Sequence, residues 1–169
     1  HMLADEFIEA AKLWKKAADA VPSEDYFIQQ QALAVYKSKE PSEVTALTDA
    51  LQIIEKLAPN GDSNDPETLG LTGAIYKRMW LVSPDVELLK RAIKFYEKGF
   101  QIRNDYYTGE NYALCLDMMS EIEDDDNEKI YYLIAARKAR EKIIKTLDDI
   151  ECSVEAGNIS TEMKWAIAT

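Results

Sequence analysis

The chain has 169 residues, 47% of them apolar and 30% charged, and 31 acidic against 20 basic side chains leave a net charge of −11. No apolar run approaches the ~20 residues needed to span a bilayer, and the acidity opposes nucleic-acid backbones and anionic membrane surfaces at long range. The one histidine, His1, stands with Met2 as a cloning scar; without it residues 3–169 lack the imidazole that Ser-His-Asp, Cys-His and histidine–metal sites require, so neither metal nor cofactor is expected.

From Asp5 to Ala20, apolar residues recur at Phe7, Ala10, Ala11, Trp14, Ala17 and Ala18, and Pro22 ends this first helix. A second is predicted from Tyr26 to about Lys39, capped by Ser23 or Asp25, with Ile28, Ala32, Val35 and Tyr36 inward. Pro41 opens a third, whose face holds Val44, Leu47, Leu51, Ile54 and Leu57, and the turn residues from Pro59 to Asn64 stop it. The fourth is the most sharply specified: Asp65 is a good N-cap, Pro66 fits the first helical position, and Glu67 suits the positive end of the dipole. Gly70 and Gly73 each cost this helix roughly 1 kcal/mol relative to Ala, which close approach of a neighbouring helix at Gly70, Gly73 and Ala74 would offset.

After Ser83-Pro84, a fifth helix carries Val86, Leu89, Ile93, Tyr96 and Phe100 inward; a sixth, from Tyr106 to about Ile122, is capped by Asn104 or Asp105. The acidic run Glu121 to Glu128 lacks the alternating ligands and bend glycine of a calcium loop, and reads as a solvated connection that starts the next helix. The seventh helix, about Asn127 to Cys152, turns Tyr132, Ala135, Ala136, Ala139, Ile143 and Leu147 inward and leaves Arg137, Lys138, Arg140, Lys142 and Lys145 exposed. Ser160 caps an eighth that the sequence leaves unfinished at Thr169, as in a fragment of a longer protein. Cys115 and Cys152 fall in predicted helices as buried, inert thiols, in keeping with a reduced cytoplasmic setting.

The pattern predicts an all-α chain of seven to eight helices. Its predicted starts at Asp25, Asp65 and Asp105 repeat every 40 residues, a period of helical-hairpin arrays. Ala10/Trp14/Ala17 and Ala92/Tyr96/Gly99 share a small, aromatic, small register, which is that of a second helix in a tetratricopeptide repeat; Ala50/Ile54/Leu57 matches it less well. The expectation is a divergent tetratricopeptide-like solenoid, forming a single domain.

Three segments in order, Gly73-Ala74-Ile75-Tyr76-Lys77, Phe95-Tyr96-Glu97-Lys98-Gly99-Phe100 and Tyr107-Thr108-Gly109-Glu110-Asn111, resemble the TRAFs-binding domain in the central regulatory region of apoptosis signal-regulating MAP kinase kinase kinases. The lead-in Asp65 to Gly70 is more similar to bacterial tetratricopeptide relatives, and the resemblance spans about residues 20–116. It departs at Glu110, where the motif has an apolar residue. The resemblance implies a non-catalytic module that regulates an attached or partner signalling effector, and marks Gly70, Gly73, Tyr76, Tyr96, Gly99 and Gly109 as structural positions. No kinase signature is present.

In such an array the first helix of each hairpin lines the concave face. With Ala34, Gly73 and Ala113 as packing residues, Gln31, Ser38, Gly70, Lys77, Glu110 and Asp117 fall toward the groove, with Arg78, Tyr107 and Asn111 beside them. Gln31, Lys77, Arg78, Tyr107, Glu110 and Asn111 form the expected partner-binding groove, suited to a carboxylate or a peptide backbone. Two other functions compete with a protein or peptide partner. One is structural self-association as a homo-oligomer, or packing on the chain's own effector, through apolar faces of the first and eighth helices. The more remote one is an all-α hydrolase using Glu110 and Asp117, seven apart on one helical face and about 10 Å apart by helical rise.

Overall fold

A computed structural model of the chain describes residues 2–59 and 62–155. Among these residues lie seven α-helices: α1 (Met2–Ala20), α2 (Asp25–Ser38), α3 (Glu43–Ile54), α4 (Pro66–Val82), α5 (Val86–Arg103), α6 (Tyr106–Ile122) and α7 (Asp126–Glu155). The predicted eighth helix from Ser160 lies outside them. The chain divides into two compact units, one running through Phe95 and the other beginning at Tyr96, so that the division falls within α5.

In the first unit α1 packs on α2, α2 on α3 and α3 on α4, with α2 also reaching α4. A cluster of Ala32, Tyr36, Leu47, Ala50, Ile54 and Ile75 ties α2, α3 and α4 together, and Leu33, Val35, Leu51 and Met79 pack around it. The residue types follow from the spacing: Ala32, Leu47, Ala50, Ile54 and Ile75 are essentially inaccessible, and alanines at two of these positions let helix axes approach while the branched residues fill between them. Trp14 lies over Phe27, ring centroids 6.0 Å apart and 26° between planes, and meets the edge of Tyr26 at 5.7 Å. The aromatic of α1 therefore seats the start of the following helix.

The second unit repeats that contact. Tyr96, fully buried on α5, meets Tyr107 at the start of α6 edge-on at 6.3 Å. α6 then packs along α7, where Ala136, Ala139 and Ile143 are buried. Close approach is tightest at Gly109: a Cβ there would stand 2.6 Å from Phe100 Cε2 and 2.9 Å from Ile143 Cδ1, so only glycine fits against the ring.

The starts of α4 and α6 follow the sequence signals closely. Asp65 accepts from the Thr68 amide and Asp105 from the Thr108 amide, each at 2.8 Å, and each aspartate also takes the threonine hydroxyl, at 2.7 and 3.0 Å. The first member of the 40-residue series differs. Asp25 is the first residue within α2, and Glu24 occupies the N-cap without a side-chain cap bond. Position 28 is also Ile, where the other two starts have threonine. Asp125 opens α7 by accepting from the amides of Asn127 (2.9 Å) and Glu128 (3.0 Å), so the acidic run serves as a helix cap.

Several inward expectations fail. Val44 and Val86 are exposed because each sits in the first turn of its helix, and Leu147 is exposed on α7, off the face that α6 covers. α3 closes at Ile54 and tightens into i→i+3 bonds from Lys56 to Ile53, Leu57 to Ile54 and Ala58 to Glu55, which leaves Leu57 half-buried in a turn. Cys115 is buried as expected, whereas Cys152 is exposed near the end of α7. No helix among the described residues is long and apolar enough to cross a membrane.

Candidate functional site

On the first unit the candidate surface is built from α2 and α4. Gln29, buried on α2, donates from Nε2 to Asp65 Oδ2 (2.7 Å) and to Thr68 Oγ1 (3.1 Å), so the N-cap of α4 also clamps α2. That clamp fixes the rotation of α4 and, three turns on, sets Lys77 and Arg78 half-exposed. The Arg78 guanidinium lies 5.1 Å from the centre of the Tyr36 ring on α2. Burial pushes the Tyr36 phenol above its ordinary pKa, against the opposing charge and hydrogen bond of Arg78. A guanidinium resting on an aromatic face is held by the ring's electron-rich surface as well as by the phenol. Gln31 and Ser38, by contrast, are buried; Ser38 Oγ donates to the Val35 carbonyl at 2.7 Å and closes α2.

On the second unit Tyr107 is 51% exposed, so half of its ring faces solvent while the rest packs on Tyr96. Asn111 Nδ2 donates to the Tyr107 carbonyl at 2.8 Å, which directs the amide along its own helix. Glu110 and Asp117 both face α7. Arg140 Nη2 donates to Asp117 Oδ2 at 2.7 Å, and the guanidinium lies 3.5 Å from both Glu110 oxygens. The hydrogen bond that Arg140 donates to Asp117, ahead of the charges of Asp117 and Glu110, raises the Arg140 pKa above its ordinary value despite partial burial. Arg140 is thus not part of an exposed basic face. The carboxylates joined in the hydrolase reading converge on a guanidinium, which clasps α6 to α7, and the polar departure at Glu110 has its partner there.

The marked structural positions behave as such: Gly70, Gly73, Tyr76, Tyr96, Gly99 and Gly109 are all buried. Tyr76 stacks on Phe95 at 5.6 Å with 9° between planes, and Arg91 donates to its hydroxyl at 3.2 Å. Beside this pair is an open hollow of about 340 Å³ lined by Leu51, Ile54, Glu55, Thr72, Tyr76 and Arg91, among others. No group of three or more His, Cys, Asp or Glu placed to hold a metal occurs among the described residues. Sequence reasoning missed Gln29, Thr68, Thr108 and Arg140. The repeated Asp-x-x-Thr at 65–68 and 105–108 was the available signal for the threonines; nothing local marks a cross-helix partner such as Gln29 or Arg140.

Short capped helices, small residues at the crossings and one large side chain per second helix define an all-α protein of helical hairpins of the tetratricopeptide class. The family model for Tetratricopeptide Repeats-Sensor, TPR-S, matches residues 6–116. The chain belongs to this family. No curated protein and no solved structure matches it. Tetratricopeptide repeats generally mediate protein–protein interaction, and that is the class of activity to which the fold belongs.

Proposed function

We propose that this chain is a non-catalytic recognition module that binds a protein or peptide and thereby regulates a signalling effector, attached to it or separate, in the cytoplasm. The observation that carries the reading is Arg78 seated on Tyr36 beside Lys77, a cationic contact on the first helix of a hairpin in a protein of net charge −11. A partner segment with a carboxylate would meet Arg78 through paired hydrogen bonds, with Lys77 adding charge. On the second unit Tyr107 offers an exposed ring for apolar packing. The likeness to the TRAFs-binding domain supports a regulatory role, and the family's description as a sensor accords with a module that reports what it holds.

The test is capture from lysate of the source organism on immobilised wild type, on Lys77→Glu/Arg78→Glu and on Tyr107→Ala, after matched helical content and melting are established. A protein retained by wild type and lost from the charge-reversed variant supports the reading. Equal retention on all three moves recognition away from these helices, and retention on none contradicts a free partner.

A further inference from the structure

α7 is 30 residues long and has two apolar stripes, of which α6 uses one. Ala136, Ala139 and Ile143 form the buried stripe, with Tyr132 half-buried beside it. At about 100° per residue the second stripe lies roughly a third of a turn round the helix. It contains Ile130, Leu133, Ile134, Ile144 and Leu147, all exposed, Ile144 by 57% and Ile130 by 53%. Along its centre Ile130, Ile134, Arg137, Glu141, Ile144 and Asp148 succeed one another at alternating steps of four and three, the heptad spacing of a coiled-coil seam.

We propose that this stripe binds a second copy of the chain, α7 against α7, antiparallel and two-fold symmetric. The charges choose both the occupant and the direction. A parallel pair would set Arg137 on Arg137 and Glu141 on Glu141 of the copy. An antiparallel pair centred on residue 139 sets Arg137 opposite Glu141 twice over, and in the same register sets Ile134 opposite Ile144. The flanks agree: Leu133 comes beside Leu147 of the copy, and Tyr131 beside Lys145. Both central charges are free to turn outward, since Arg137 and Glu141 are 69% and 65% exposed and share only a 3.7 Å contact along their own helix. Two like-charge meetings lie on the flanks. Arg140 is drawn inward by Asp117 and Glu110, and Lys138 meets its own copy at the axis. At each end of the seam Ile130 stands opposite Asp148 of the copy, and these meetings together limit the affinity.

The experiment is sedimentation equilibrium from low to high micromolar concentration on wild type, Arg137→Glu, Glu141→Arg and the double exchange. Both substitutions are at exposed positions, and circular dichroism checks the fold. The expected result is a concentration-dependent dimer for wild type, self-association weakened about tenfold or more in each single variant by like charges at the seam, and recovery in the double exchange. In a Cys152→Ser background, Ile134→Cys/Ile144→Cys should cross-link between copies and Ile134→Cys alone should not. Wild type that stays monomeric throughout overturns the proposal and leaves the stripe to the chain's own residues or to another protein. A dimer indifferent to both single charge variants, or one in which Ile134→Cys cross-links to itself, overturns the antiparallel seam.

Discussion

Gly109 illustrates how much a single missing atom decides in this protein. Helix interiors ordinarily favour alanine over glycine by about 1 kcal/mol, so Gly109→Ala should stabilise α6 on propensity alone. The Phe100 ring, whose nearest carbon would lie 2.6 Å from the new Cβ, and Ile143 at 2.9 Å reverse the sign. The ring has little freedom to withdraw, because Lys142 Nζ lies 4.7 Å from its centre. Overpacking of this kind costs about 1–3 kcal/mol, and thermal denaturation of Gly109→Ala should show a net loss of about 1–2 kcal/mol. At this scale the sequence was informative about small residues, since Gly70, Gly73 and Gly99, singled out by their spacing, are all buried, as is Gly109. It was poor at charged side chains. Arg140 was read with its basic neighbours as solvent-facing, but its destination depends on Glu110 and Asp117, residues 30 and 23 positions away.

At the scale of elements, the two Asp-capped helices form a natural comparison. Asp65 Oδ2 accepts from the Thr68 amide, the Thr68 hydroxyl and Gln29 Nε2, whereas Asp105 accepts from the Thr108 amide and hydroxyl. Position 69, which stands to Asp105 as Gln29 does to Asp65, is Leu69. Replacing an N-cap by alanine costs about 1 kcal/mol, and losing the Gln29–Asp65 bond, which leaves the Gln29 amide with Thr68 Oγ1, adds about 1 kcal/mol. Urea denaturation should therefore find Asp65→Ala the more damaging of the two, by about 1 kcal/mol or more. Gln29→Leu in the Asp65→Ala background should recover part of the difference. The caps themselves were legible because they are local, Asp-Pro-Glu-Thr and Asp-Tyr-Tyr-Thr each announcing a start. At Asp25 the signal fails: α2 starts there, with Glu24 at the N-cap and no side-chain cap bond.

α5 and α6 also carry a pH-dependent contact. Tyr112 donates to Glu97 Oε1 at 3.1 Å, and burial, then the Glu97 charge and hydrogen bond, raise the phenol well above the usual value of 10. The folded state keeps this proton after the unfolded state has lost it, so between the two pKa values the folded protein binds more protons and stability falls as pH rises. Tyr36 acts in the same direction. Stability measured by chemical denaturation should decline above about pH 10, and Tyr112→Phe should make that decline shallower without altering its sign.

For the molecule as a whole, the fold class and element order were readable because helical periodicity, capping and proline breaks act over a few residues, and all seven described helices lie where they were expected. The 40-residue register and the small, aromatic, small triplets also carried the class, through contacts such as Trp14 on Phe27 and Tyr96 on Tyr107. The candidate surface was only half legible. Lys77, Arg78 and Tyr107 reach solvent, whereas Gln31 is buried and Glu110 engages α7, since accessibility is set by neighbours that a single helix does not reveal. The second stripe of α7 went unread for a similar reason: it emerges only after the face taken by α6 is known.

The central claim is that the chain acts by holding a partner through the exposed cations on α4. The most direct measurement is the dissociation constant of the captured partner for wild type, for Arg78→Glu, and for Lys16→Glu as a control on exposed α1, all at one ionic strength. Loss of a paired guanidinium–carboxylate contact and its replacement by repulsion predicts affinity at least about tenfold weaker for Arg78→Glu and unchanged for Lys16→Glu. Equal affinity for Arg78→Glu and wild type would contradict the account.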